Sequence, residues 1–173
     1  MNRLGLLSAI LTSLTLFLPF IPIGIYFWNE LTSTAEINSF IKLPVSLINF
    51  NDIQYFSWGI LNQDSFNLWI NNSSIAFIIS FIFLSILSLL AIIFSLIGST
   101  KTNLNGKRIM SYNFFALLFI ILYTTLGFTI YSEEIFGIEF GLFEIFLYLD
   151  YGFYILLLNL ILSIIAFIKH PIE

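Results

Sequence analysis

Apolar residues fall into four long stretches, Leu4–Trp28, Ile75–Gly98, Ser111–Tyr131 and Tyr151–Ile168, none of which contains Asp, Glu, Lys, Arg or His. As a helix rising 1.5 Å per residue, each is long enough to cross about 30 Å of hydrocarbon, the last only just. The pattern predicts four membrane spans over 4–28, 75–98, 111–131 and 151–168. Between them lie a long loop at 29–74, a tight turn at 99–110 and a shorter loop at 132–150. Together they form one membrane domain over 1–173.

The long loop has a pattern of its own. Ile41–Ile48 is rich in β-branched residues, and Asn49-Phe50-Asn51-Asp52 is a turn signal. Ile53–Leu61 follows, then a second turn signal, Asn62-Gln63-Asp64-Ser65, and a short apolar run, Phe66–Ile70. Strand, turn, strand, turn, strand predicts a three-stranded antiparallel meander lying on the ends of the helices. Asn105-Gly106, followed by Lys107-Arg108, predicts a sharp helical hairpin in the short turn. Pro19 and Pro22 are expected to kink or loosen the first span before Trp28, an interfacial aromatic. Asn71-Asn72-Ser73-Ser74 holds two overlapping Asn-x-Ser sequons too close to a span for ready modification, with Ser73 or Ser74 expected to cap the next helix.

Charge gives the orientation. Arg3, Lys101, Lys107, Arg108 and Lys169 flank the spans on one side, with Glu173 alone for company. Glu30, Glu36, Asp52, Asp64, Glu133, Glu134, Glu139, Glu144 and Asp150 lie on the other, against Lys42. Five of the six Lys and Arg residues share a side, which the positive-inside rule makes cytoplasmic, both termini included. The first span reads as a retained helix and not a cleaved signal, because its apolar run is long and no clear small-x-small site follows it. At 59% hydrophobic and 9% charged residues, the 173-residue chain lies outside ordinary soluble composition, which places it in a cell membrane. With no cysteine, the external loops have no disulfide to hold them.

Small and polar residues recur at helical spacing within the spans. Gly5, Ser8, Thr12 and Thr15 line one face of the first, and Ser85, Ser88, Ser95 and Ser99 one face of the second. Asn113 and Ala116 mark the third, and Gly152, Asn159, Ser163 and Ala166 the fourth. Such stripes let helices approach closely in lipid and suit left-handed crossings near +20°. The fold class read from these patterns is an all-α membrane protein, a left-handed bundle of four transmembrane helices with a small extracellular antiparallel sheet. Ser8, Thr12, Ser88, Asn113, Asn159 and Ser163 are the candidate packing residues.

Little else points to chemistry. Asp, Glu, Lys, Arg and His are missing from the spans, where ion coupling or a proton relay would need them. The lone histidine, His170, reads as an interfacial residue. No catalytic set, phosphate loop or metal-ligand spacing stands out, so no catalytic residue, cofactor or metal is expected. Nor is any nucleic-acid partner. The aromatic loop offers Tyr55, Phe56, Trp58 and Trp69 as a candidate outer interaction surface, or as anchors to the lipid interface.

The order of elements resembles the claudin and peripheral-myelin-protein tetraspan group. Trp28 is similar to that group's Trp after the first helix, Trp58-Gly59-Ile60-Leu61 lies near where claudins carry Gly-Leu-Trp, and Glu139-Phe140-Gly141 resembles a short motif ahead of the fourth helix. Here the Trp precedes the Gly, and the paired loop cysteines are absent. The resemblance implies a four-helix bundle with an extracellular sheet, and lateral or cell-surface assembly through the loops. The expectation is a non-enzymatic protein of the lipid bilayer that contacts copies of itself or other membrane proteins. The alternative is an accessory or pore-forming subunit of a larger transport or enzyme complex.

Overall fold

A computed structural model describes residues 1–17, 20–23, 41–62, 65–71 and 74–172. The protein is mostly helical. Helix α1 (Arg3–Phe17) is short and apolar, whereas α2 (Ile75–Thr100), α3 (Leu104–Ile130) and, later in the chain, Tyr151–Ile168 are each long and apolar enough to cross a membrane. A single-turn helix α4 (Ser132–Phe136) follows α3, so Tyr151–Ile168 is α5. Helix α1 packs against α2 and α5, and α3 against the same two.

Polarity in this helical body is inverted relative to a water-soluble protein. Buried positions include Ser80, Ser88, Ser95, Asn113, Thr124, Asn159 and Ser163, while Ile82, Ile86, Leu89, Phe115, Phe119, Leu158 and Ile161 are exposed. Water would not tolerate that outward face, but hydrocarbon selects it: small residues and internal hydrogen bonds hold the helices, and Ile, Leu and Phe meet lipid.

The first apolar stretch behaves differently from the expected 4–28 span. Helix α1 ends at Phe17, and strand β1 (Phe20–Ile23) pairs antiparallel with β2 (Ile41–Pro44). Two prolines three residues apart cannot sustain a helical hydrogen-bond ladder, so the sequence turns extended there. Pro19, Trp28 and the Asn72-Ser73 pair lie outside the described residues.

A second sheet runs β3 (Ile48–Phe50), β4 (Ile53–Tyr55), β5 (Gly59–Asn62) and β6 (Ser65–Leu68), each antiparallel to the next. The expected meander is present with one more strand than the pattern suggested, because 41–48 feeds two sheets and 53–61 is broken by a turn at Phe56–Trp58. Tyr55, Phe56 and Ser57 are buried in succession, which a straight one-faced strand cannot achieve. The chain turns instead, and Ser57 donates to the carbonyl of Leu16 at the end of α1, at 2.5 Å. Asn51 and Asp52 both take positive φ, 51° and 62°, in the two-residue hairpin between β3 and β4. That is the chemistry Asn and Asp bring to primed turns.

The tight turn between α2 and α3 also shifts. Asn103 caps α3 by accepting the Gly106 N–H at 3.0 Å, so the turn is 101–103 and Asn105-Gly106 falls within the first helical turn. Ser74 caps α2, as the sequence suggested, accepting the Ala76 N–H.

Sheet and helices are joined by backbone pairing. Asn49 N–H donates to the Tyr148 carbonyl, Asp150 N–H to Leu47 and Gly152 N–H to Ser46, at 2.9, 3.0 and 3.0 Å. Ser46 also donates to the Asp150 carboxylate. Gly152 permits this approach, since a Cβ there would sit 2.1 Å from the Val45 carbonyl oxygen. Gly152→Ala should therefore destabilise the protein by about 2–3 kcal/mol through forced separation of the sheet from α5. Denaturant unfolding in detergent micelles checks this, with Gly141→Ala, whose added Cβ meets nothing closer than 3.4 Å, expected to be near neutral.

Candidate functional site

Two regions carry polar or exposed groups in an arrangement that local folding alone does not demand. The first is the middle of the helical body. Asn113 on α3 donates to Ser8 Oγ of α1 at 3.2 Å and to Ser163 Oγ of α5 at 2.8 Å. Asn159 on α5 donates to Thr12 Oγ1 at 2.8 Å and to the Ser8 carbonyl at 3.3 Å. All five side chains are fully buried. Three helices thus share one polar cluster, with α1 at its centre. Ser88, the sixth candidate packing residue, is buried too but bonds within its own helix, to the Leu84 carbonyl.

Further toward the termini, Ser95 of α2 donates to the Gly5 carbonyl at 2.6 Å, and Asn2 Nδ2 donates to the Ala166 carbonyl at 2.7 Å. His170, just beyond the end of α5, is buried, with its ring nitrogens 2.9 Å from the carbonyl oxygens of Gly98 and Pro171. The end of α5 is thereby tied to the end of α2. Lys107 lies over the Phe167 ring, 5.1 Å from its centroid, adding a cation–π contact at the same end.

The second region is the sheet end. Here the aromatic surface expected from the sequence is corrected. Tyr55, Phe56 and Trp69 are buried, and Trp58 is half-buried against Phe66 at 4.3 Å between centroids. The reason is that the sheet has no other core: its apolar face must close on the helix ends. Phe50 meets Phe136, Phe140 and Tyr148 edge-on at 4.9–5.6 Å, and Trp69 meets Phe77 and Phe128. These rings form the seam between sheet and helices.

What stands exposed is the segment between α4 and α5. Phe140 and Ile145 are buried and pin it, while Leu142, Phe143, Phe146 and Leu147 are 61%, 75%, 49% and 80% exposed. Glu139 precedes this ridge and Glu144 lies within it, and a Glu144 carboxylate oxygen accepts the Gly141 N–H at 2.8 Å, fixing the bend. In the sequence this segment is loosely amphipathic, with carboxylates recurring among Phe, Ile and Leu, and its pattern leaves open whether it extends a neighbouring helix or adds a strand. The signal available was the separation of Phe143 and Leu147 from any partner stripe. Nearby, Glu134 of α4 accepts from Ser74 at 2.5 Å and from the Ala76 N–H at 3.4 Å, so α4 helps cap α2. Among the described residues no group of three or more His, Cys, Asp or Glu side chains comes together to hold a metal.

No protein-family model, curated protein or solved structure matches this chain significantly.

Burial pushes the Tyr55 phenol up to about 12 from its ordinary value of 10.0. The unfolded chain gives up this proton near pH 10 and the folded chain only near 12, so stability is lost as pH rises through that window. Tyrosine absorbance titration should show Tyr55 ionising late, and Tyr55→Phe should flatten the fall in unfolding midpoint above pH 10.

Proposed function

We propose that this is a non-catalytic multi-pass membrane protein that crosses the bilayer four times, with both termini cytoplasmic, and works through protein–protein contacts at its external sheet end. In this reading α1 is the fourth crossing. Its length of about 22 Å is short for hydrocarbon of about 30 Å, and local thinning of the bilayer accommodates the difference. Its polar face supports this, since the Ser8 and Thr12 hydroxyls accept from amides on two other helices, Asn113 of α3 and Asn159 of α5. The plan is that of the tetraspan group the sequence resembles, with a left-handed bundle beneath an extracellular sheet and lateral assembly between neighbouring molecules.

The observation that carries the functional part is the ridge of Leu142, Phe143, Phe146 and Leu147. Four large apolar side chains stand out together beside carboxylates, at the sheet end, on a segment pinned by two buried neighbours. Exposed apolar groups in one patch with a polar rim mark contact sites. The acidic rim selects the partner. Two copies meeting ridge to ridge would bring Glu139 and Glu144 against their equivalents, so the ridge suits a membrane protein with an uncharged or basic rim.

A photo-crosslinking residue at Phe143, activated in native membranes, should give an adduct of one defined mass. Phe143→Asp with Leu147→Asp should lower crosslinking from Ile138 about tenfold while leaving the unfolding midpoint unchanged, because these side chains are already exposed. Recovery of lipid adducts alone would overturn the proposal. An adduct holding a transporter or enzyme would move it to the accessory-subunit reading.

A further inference from the structure

The buried hydroxyls of the helical body follow a rule with one exception. Thr12, Ser80, Ser88, Ser99 and Thr124 each donate to the carbonyl four residues earlier, and Ser95 donates across to Gly5. Polar atoms in hydrocarbon are normally satisfied in this way. The exception is the cluster around Ser8. Asn113 Oδ1 and Asn159 Oδ1 are fully buried and have no hydrogen-bond partner.

Amide orientation does not remove the problem. Turning Asn113 over would let its oxygen accept from Ser8 and Ser163, but would take from both hydroxyls the N–H that they now receive. Turning Asn159 over would set its oxygen against the Ser8 carbonyl. As placed, each amide has its donor end bonded and its acceptor end without a partner. A buried carbonyl without a donor costs about 1–3 kcal/mol, and two such groups at the centre of three helices are a site asking for a ligand.

We propose that the Asn113–Asn159 cluster holds internal water, which donates to the two orphaned carbonyl oxygens and accepts from the hydroxyls of Ser8 and Ser163. Each of those hydroxyls already receives an Asn113 N–H and keeps a proton to donate. Two acceptors and two donors are the complement of a water molecule, which typically makes about three hydrogen bonds when buried. A cation is the competing occupant, since amide carbonyls and hydroxyls also ligate Na⁺. It is excluded by charge. No carboxylate occurs in α1, in α5 or in α3, so a cation here would lie uncompensated in a medium where that is prohibitive. Water carries no such cost.

The test uses the full chain in lipid nanodiscs with ¹⁵N-labelled Asn, Leu and Ile. Magnetisation transferred from water protons should reach the side-chain amides of Asn113 and Asn159, but not the backbone amides of Leu84 and Ile120, which are equally buried but lie outside the cluster. The transfer should exceed that at Leu84 and Ile120 about fivefold or more, as a resident water requires. Transfer no greater than at those two positions would overturn the proposal. Asn159→Leu gives a second readout that needs no spectral assignment. If the cluster is dry, removing an orphaned carbonyl raises the thermal midpoint. If it is wet, the midpoint falls, because a satisfied amide and its water are both lost. A raised midpoint in a folded variant would also overturn it, whereas sodium-dependent shifts in the wild-type midpoint, absent with choline, would assign the site to a cation instead.

Discussion

The antiparallel pairing of residues 45–49 with 148–152 governs how the rest of the protein is organised. Those few hydrogen bonds fasten a sheet, too thin to have a core of its own, onto the start of α5. Once it is fastened, the apolar face of β3 and β4 has a surface to close on. Phe50 and Tyr55 then meet Phe136, Phe140 and Tyr148 across the seam. The absence of a β-carbon at position 152 makes the geometry possible. The sheet is fastened in this way in a chain that has no cysteine.

A second constraint operates inside the helices. A hydrocarbon solvent offers nothing to a polar atom, so every hydroxyl must look inward or to its own backbone. Helix α1 shows the outcome. It is shorter than the three helices long enough to cross a membrane, yet hydrogen bonds reach it from α2, α3 and α5, through Ser95, Asn113 and Asn159. Shortness and polar attachment go together, because a helix with little apolar area gains less from lipid-excluding packing and more from directional contacts.

Sequence made the helical body legible because its signals are local and repeated. The charge-free runs that became α2, α3 and α5, the small residues such as Ser8, Thr12, Ser88, Asn159 and Ser163 that are buried between helices, and the Ser74 cap stand where the pattern places them. It was less informative at the sheet end for a physical reason. Tyr55, Phe56 and Trp69 carry the composition of a binding surface, and only the position of the helix ends decides that they face inward. Likewise Pro19 and Pro22 announced a disturbance of the first span, but not that the chain would continue as a strand paired with Ile41–Pro44. The ridge at 142–147 was hidden because exposure is a property of what fails to pack, which no periodicity encodes.

One stretch of α3 has a consequence for the lineage of this chain. Between Tyr123 and Gly127 the helix widens to a π turn, with one residue more than a regular turn would hold. Residues five apart therefore come into phase, and the Tyr123 and Phe128 rings stand 5.7 Å apart where an ordinary helix would splay them. Gly127 leaves room for the Tyr123 ring to lie flat along the widened coil. A single codon gained or lost here swings everything beyond it by about 100°. Phe128 would leave Trp69, and the sheet would lose its hold on α3 while the rest of that helix stayed intact. Length changes of one residue are ordinarily absorbed in loops. In this protein the reading frame of the fold runs through the middle of a helix, and relatives can be expected to keep the spacing from Tyr123 to Phe128 more strictly than they keep the residues themselves.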